Sequence, residues 1–249
     1  MRYKTFYLDC KEAFPKTCRI KPFAIAEYNM NYSSPEDRII IDNLLKEAKV
    51  LADKVFPGAA NDSEHVRTKE RIFANCIAGV VSEYCWKHFF NYKHEYVRST
   101  PFNSASNQID LEIVTNQKKI EVRSSFPRNG LVFAVCHPAK EFDILGPYSN
   151  SYKPGEVHKD YFIRTLFPMR SPTEIFSHIK SNSFTLYLTG GATYDMMFDN
   201  RYSKNKDFIP EDNFTIQTKT TYRVVPFHNA LDCAEIYCIF RRIPVQHFR

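Results

Sequence analysis

Ile109-Asp110-Leu111-Glu112-Ile113-Val114, followed shortly by Lys119-Ile120-Glu121-Val122-Arg123, is the stretch that decides the reading of this chain. Ile109, Leu111 and Ile113 alternate with Asp110 and Glu112, and Ile120 and Val122 alternate with Glu121 and Arg123. A period of two is that of a β-strand with one buried face. Asn116-Gln117 makes a plausible turn, so the stretch reads as a β-hairpin with Thr115 opposite Lys118. In that register Glu112 faces Glu121, and Asp110 faces Arg123. All four project to one side, because side chains alternate across a strand. The five apolar residues project to the other side, which is the core.

The acidic side is unusual as a purely structural feature. Like charges directly opposite on neighbouring strands repel, and Glu112 against Glu121 costs stability unless something compensates. A divalent cation is one compensator. Mg²⁺ takes oxygen ligands, commonly one or two carboxylates, with water and substrate phosphate completing its shell. Carboxylates converging from two strands meet that requirement, and a water bound to such a metal becomes a nucleophile for attack on phosphorus.

Working outward, residues 1–33 show no clear periodicity and are expected to be irregular with one strand at most. Ser34-Pro35 with Asp37 starts a helix carrying Ile40, Leu44, Ala48, Leu51 and Val55, which Pro57-Gly58 stops. A second helix is expected from about Asp62 or Ser63 to Asn91, with Val66, Phe73, Ile77, Val81 and Tyr84 as its main stripe. Gly79 within it marks either a close backbone approach or nothing. Beyond the hairpin, strands are expected over Leu131–Cys136, Tyr161–Phe167, Phe184–Leu188, 214–225 and 236–241. Pro172–Lys180 reads as a short helix, and 138–159 and Asn200–Asp212 as loops. A further short helix is expected after Gly190-Gly191, a pair that reads as a strand-ending turn. Helices, then strands, then helix and strand imply an α/β or α+β fold around one mixed central sheet.

Composition sets the frame. The chain has 249 residues, 43% hydrophobic and 25% charged, which is the balance of a globular protein rather than a disordered one. Lys plus Arg exceed Asp plus Glu by 34 to 28, a net charge of +6 that permits a nucleic-acid partner. The seven cysteines are odd in number and lack C-x-x-C spacing, which favours reduced, buried thiols over a disulfide framework or zinc site. No signal-peptide pattern opens the chain, and no apolar run reaches the roughly 18 residues of a membrane helix. A soluble, cytoplasmic protein without membrane contact is expected.

The spacing Asp110-x(10)-Glu121-x-Arg123 resembles the motif of the PD-(D/E)XK nucleases, in which two acids on a hairpin hold the metal. By that resemblance Asp110 and Glu121 bind Mg²⁺, with Mn²⁺ as a substitute. Arg123 stands where the family carries a Lys that positions the attacking water. Arg keeps the positive charge and binds phosphate, but it does not deprotonate, so only electrostatic stabilisation is available from it. Members also carry a Glu on the preceding helix, and Glu83 in Gly79-Val80-Val81-Ser82-Glu83 fits that place. The resemblance implies a restriction-endonuclease-like core over 63–190. An N-terminal segment, 1–62, precedes it, and a C-terminal extension, 191–249, belongs to the same domain. It implies catalysis by Asp110, Glu121, Arg123 and Glu83, double-stranded DNA as substrate, type II restriction-like activity and a possible homodimer.

Other readings of the same residues stand beside this one. Glu112 and Glu121 are also compatible with a solvated face on which Arg123 bridges Asp110, and Glu83 with an ordinary helix ion pair to Lys87. The fold also serves a non-cleaving nucleic-acid-binding module, with Arg123 marking lost catalysis, or a repair or RNA-directed nuclease. The segment Tyr148–Tyr161, with Lys153, His158 and Lys159 among its aromatics, is a candidate nucleic-acid contact.

Overall fold

The computed structural model describes residues 1–19, 21–55, 67–92, 94–102, 108–139, 142–148, 157–208 and 220–242. It opens on an antiparallel hairpin of β1 (Arg2–Leu8) and β2 (Phe23–Met30), joined through the single-turn helix α1 (Cys10–Ala13). The irregular segment expected over 1–33 is thus corrected to two strands. The first four residues of β2 are all buried, and such a strand has no apolar–polar alternation to reveal it.

Helix α2 (Pro35–Ala52) begins where Ser34-Pro35 predicts. The expected capping box does not form. The Ser34 hydroxyl donates to Glu36 (2.7 Å), and the Asp37 carboxylate turns back to the Asn31 N–H (2.8 Å) and the Met1 amine. The stop at Pro57-Gly58, the start near Asp62 and the stripe residue Val66 lie outside the described residues. Helix α3 (Lys69–Phe90) begins at Thr68, whose hydroxyl accepts from the Arg71 N–H (3.1 Å). Ile72, Ile77, Val81, Cys85, Trp86 and Phe89 are among its many buried residues, the mark of a helix enclosed by protein on most sides. At Gly79 an added Cβ meets nothing within 4 Å, so no neighbouring backbone demands this glycine.

The hairpin predicted from period-two alternation is present as β4 (Leu111–Ile113) and β5 (Lys119–Ser125), preceded by β3 (Val97–Ser99). The strand expected over Leu131–Cys136 is instead helix α4 (Gly130–Cys136). A short apolar run carries no periodicity that separates strand from buried helix. β6 (Asp143–Tyr148) lies in the expected loop 138–159, whose residues 149–156 fall outside the description. β7 (Tyr161–Leu166) follows as expected. A 3₁₀ turn (Pro172–Glu174) running into α5 (Ile175–His178) matches the expected short helix.

β8 (Phe184–Thr193) runs straight through Gly190-Gly191, so the pair does not end the strand. A Cβ at Gly190 would collide with Leu231 backbone and one at Gly191 with Phe162 backbone, so close strand packing explains both. α6 (Tyr194–Phe198) is the expected short helix. β9 (Lys204–Phe208) replaces part of the expected charged loop, and β10 (Thr220–Pro226) overlaps the expected strand 214–225. The strand expected over 236–241 is corrected to helix α7 (Cys233–Arg241). It follows the two-residue β11 (Leu231–Asp232) and is closed by a capping box between Asp232 and Glu235.

The fold is mixed α/β. One large sheet runs β1-β2-β8-β7-β5-β4-β3, with β11 added to β8, and β6-β10-β9 form a second sheet. β5 and β7 are parallel, while the other pairs are antiparallel. One face of the large sheet packs Leu111, Ile120, Val122, Ile163 and Leu188 against the buried residues of α2, α3 and α7. Trp86 fixes α3 over the parallel pair by donating its indole N–H to the Thr165 hydroxyl (3.1 Å). The opposite face carries a second core, with Phe23, Phe162, Leu166, Ala192, Met197 and Phe227. There Cys10 and Cys136 form a disulfide joining α1 to α4, which corrects the expectation that all seven cysteines are reduced. Spacing gives no sign of a bridge whose partners are 126 residues apart. No helix among the described residues is long and apolar enough to cross a membrane.

Candidate active site

The turn between β4 and β5 sets the site. Ile113 N–H donates to the Lys118 carbonyl (2.9 Å) and Gln117 N–H to the Ile113 carbonyl (2.8 Å), enclosing a four-residue loop over 114–117. Gln117 takes the left-handed backbone (φ 57°) that closes it. Leu111 therefore pairs with Ile120 and Glu112 with Lys119. The pairing differs by two residues from that of a two-residue turn at Asn116-Gln117. Because the shift is even, each side chain keeps its face while changing its partner.

The expected opposition of Glu112 and Glu121 is thus absent. Glu112 lies beside Lys119 and ion-pairs with Arg98 at 2.5 Å. Asp110 takes the place next to Glu121, its N–H donating to the Ile120 carbonyl (3.3 Å). The Asp110 carboxylate is buried, at 8% exposure, and its Oδ2 accepts from the Val122 N–H (2.7 Å). Its Oδ1 accepts no hydrogen bond among the described residues. Burial, and next the neighbouring Glu121 charge, push its pKa from 3.8 up to about 7, against the opposing pull of the Val122 N–H, Lys159 and Arg123.

Glu121 is buried at 5% exposure. Its Oε1 pairs with an Arg123 guanidinium nitrogen (2.6 Å) and its Oε2 with the Lys159 ammonium. The expected alternative bridge from Arg123 to Asp110 is replaced by this one to Glu121. Lys159 is the site residue that sequence reasoning missed. It sits far along the chain, just before β7, and the parallel pairing of β7 with β5 carries it to Glu121. Its neighbours Lys153 and His158 led to its assignment as a nucleic-acid contact in a loop. The signal available was a lysine two residues ahead of a strand whose residues are all buried.

Glu83 lies on α3. Burial raises its pKa well above 4.5, with Asp110, Glu47 and Glu121 adding to the effect and Lys87 opposing it. The helix ion pair with Lys87 does not form, and the Lys87 ammonium donates instead to the Ser99 hydroxyl (3.0 Å). Hairpin and β7 thus bring Asp110, Glu121, Arg123 and Lys159 together, and the charges of Asp110 and Glu121 disfavour that of Glu83 on α3.

Asp110 and Glu121 fit the demands of Mg²⁺. A buried acid with an oxygen that accepts no hydrogen bond among the described residues, its pKa raised by burial and then by an adjacent carboxylate, is a group that a divalent cation draws toward its ionised form. Among the described residues no three His, Cys, Asp or Glu side chains close on a single point, so these residues alone offer no full cage. Mg²⁺ does not need one, since it commonly takes one or two carboxylates and fills its octahedron with water and phosphate.

The sequence is similar to an uncharacterized protein of Methanocaldococcus jannaschii, MJECS01. The two are 28% identical over 192 residues, spanning 62% of this chain and 68% of the archaeal protein. No family model matches the sequence, and no solved structure matches the fold.

Proposed function

We propose that this chain is a Mg²⁺-dependent endonuclease hydrolysing phosphodiester bonds of double-stranded DNA, built on a restriction-endonuclease-like core of the PD-(D/E)XK type. One observation carries the reading: Asp110 and Glu121, from adjacent arms of one hairpin, are both buried and each disfavours the other's charge. Such a pair is costly to bury without cations beside it, and a divalent ion shared by the two acids would add to the stabilisation that Arg123 and Lys159 give Glu121.

On this reading Asp110 and Glu121 hold Mg²⁺, with Mn²⁺ as a substitute. The ion, when bound, supplies polarisation of the phosphate and of an attacking water. Arg123, 23% exposed and fixed by Glu121, presents a permanent charge to the scissile phosphate. Lys159, drawn to the same carboxylate, supplies the ammonium that the resemblance places two residues after Glu121. Glu83 takes up a proton more readily than an exposed glutamate, so its carboxyl is suited to receive one from a water among the acids. Burial of Asp110 and Glu121 keeps bulk water from competing with these groups. The net charge of +6 suits a polyanionic substrate in the cytoplasm, and a homodimer would match the two-fold symmetry of a duplex site.

Incubation with supercoiled plasmid tests the reading. Nicking that requires Mg²⁺ and disappears in Asp110→Ala supports it, whereas no cleavage with Mg²⁺ or Mn²⁺ on DNA or RNA refutes it. A second reading, a non-cleaving nucleic-acid-binding module, is favoured by the two cations already on the Glu121 carboxylate. Metal-independent binding without nicking distinguishes that case. Branched DNA and RNA run alongside the duplex separate a repair or RNA-directed enzyme from a restriction-like one.

A further inference from the structure

The large sheet buries a second cation whose charge the proposed chemistry does not use. Arg164 on β7 is 3% exposed, and its Cα pairs with that of Arg123 on β5. It lies between Phe162 and Leu166, which belong to the core on the face opposite α3, and Phe162 is the register partner of Glu121. Arg164 therefore shares the Glu121 face, two residues further along the strand, or about 7 Å at the usual rise.

Its guanidinium is poorly satisfied. Nη2 donates to the Ser125 hydroxyl (2.5 Å), while Nε and Nη1 are buried with no hydrogen-bond partner among the described residues. The acid that most favours its charge is Asp143, but the two form no ion pair, and the Asp143 carboxylate is held by Lys206. Arg123 alongside disfavours the charge, and burial disfavours it more, together lowering the Arg164 pKa to about 10. At neutral pH the group is still a cation. Two unmatched donors on a buried cation that sits beside another cation are costly, and among the described residues neither donor has an acceptor. Aromatic rings form the walls: Phe142 lies 5.8 Å from the Arg164 guanidinium, and Tyr148 lies 5.4 Å from that of Arg123. The Arg123 side chain beside Arg164 is 23% exposed.

We propose that Arg164, held by Ser125 and flanked by Arg123, is an oxyanion-binding residue. It takes a phosphate of the nucleic-acid backbone next to the one placed at Asp110 and Glu121. Nε and Nη1 are left as two separate donors on the guanidinium for an oxyanion to satisfy. The assignment rests on the proposed nuclease reading only in identifying the anion as a backbone phosphate.

The test uses the full chain carrying Asp110→Ala, which removes cleavage from the readout. Binding of a DNA duplex is measured across a range of salt concentrations with and without Arg164→Gln. The expected result is an affinity loss of about tenfold and a fall of about one in the salt slope, with Arg164→Lys retaining the slope because it retains the charge. Unchanged affinity and slope in a folded Arg164→Gln variant overturn the proposal and leave water as the partner of these donors. Should Arg164→Gln not fold, inorganic phosphate is titrated into the unsubstituted protein while the Arg164 Nε–H resonance is followed, assigned by its loss in Arg164→Lys. A saturable shift supports the site, and a resonance that does not move refutes it. Absence of nicking in the unsubstituted protein would sink the nuclease reading without altering either measurement. A phosphate response without duplex binding would keep the anion site and reject the nucleic acid.

Discussion

Replacing Asp110 by Asn should make the metal-free protein more stable at mildly alkaline pH while abolishing cleavage. The magnitude comes from proton linkage. The folded-state pKa of Asp110 is raised from 3.8 to about 7, so the folded state favours the protonated acid. The stability associated with that proton is fully present below the unfolded value and is lost as pH rises through the folded one. Above both values the ionised Asp110 costs roughly 4 kcal/mol, of which about 2–3 kcal/mol appears between about pH 5 and about pH 8. Asn keeps an oxygen to accept from the Val122 N–H and never ionises. Urea denaturation in EDTA at the two pH values measures the effect. Asp232 is also raised and contributes to both proteins, whereas the Glu83 pKa is raised in part by the Asp110 charge, so the difference between parent and variant reports residue 110 together with its coupling to Glu83. The parent should lose more stability than Asp110→Asn over this interval, and Mg²⁺ should restore it only in the parent. Identical pH slopes in the two proteins would refute the argument that Asp110 is a strained, unneutralised acid.

Three further outcomes concern the scaffold around the site. Cys10→Ser opens a bridge closing a loop of 126 residues, which chain entropy values at about 5 kcal/mol, and the loss should be visible in the denaturation midpoint under oxidising conditions. Gly79→Ala meets no neighbour and should stabilise the fold by about 1 kcal/mol in a thermal melt, with cleavage unchanged. Lys159→Met removes a buried cation from Glu121 and should destabilise by about 3 kcal/mol in denaturant, whereas Lys159→Arg should recover part of the loss.

How much of this was legible in the sequence depended on whether periodicity was present. The hairpin at 109–123 declared itself because one face is core and the other polar, and α2 because Ser34-Pro35 precedes a helical stripe. β2 did not, since Phe23–Met30 begins with four consecutive buried residues and presents no alternation. α4 and α7 were read as strands because each is a short apolar run. For α7 the spacing of Asp232 and Glu235 was a capping-box signal left unread. The hairpin register turned on loop length: a left-handed Gln117 makes a four-residue loop, which exchanged the partners of Asp110 and Glu112 without moving them off their face. Strand alternation placed Asp110, Glu121 and Arg123 on one face, while Glu83 was singled out only through the resemblance to the nuclease motif. Lys159 was missed, because it meets Glu121 through the parallel β5–β7 pairing, a contact made by topology rather than by local pattern. The Cys10–Cys136 bridge is of the same long-range kind.

Calorimetric titration of Mn²⁺ into the protein, into Asp110→Ala and into Glu121→Gln bears most directly on whether one cation is shared by the two hairpin acids. A single saturable site, with proton uptake by the buffer near neutral pH, is expected in the parent and should be lost in both variants. Equal binding in all three proteins, or none in the parent, would contradict it.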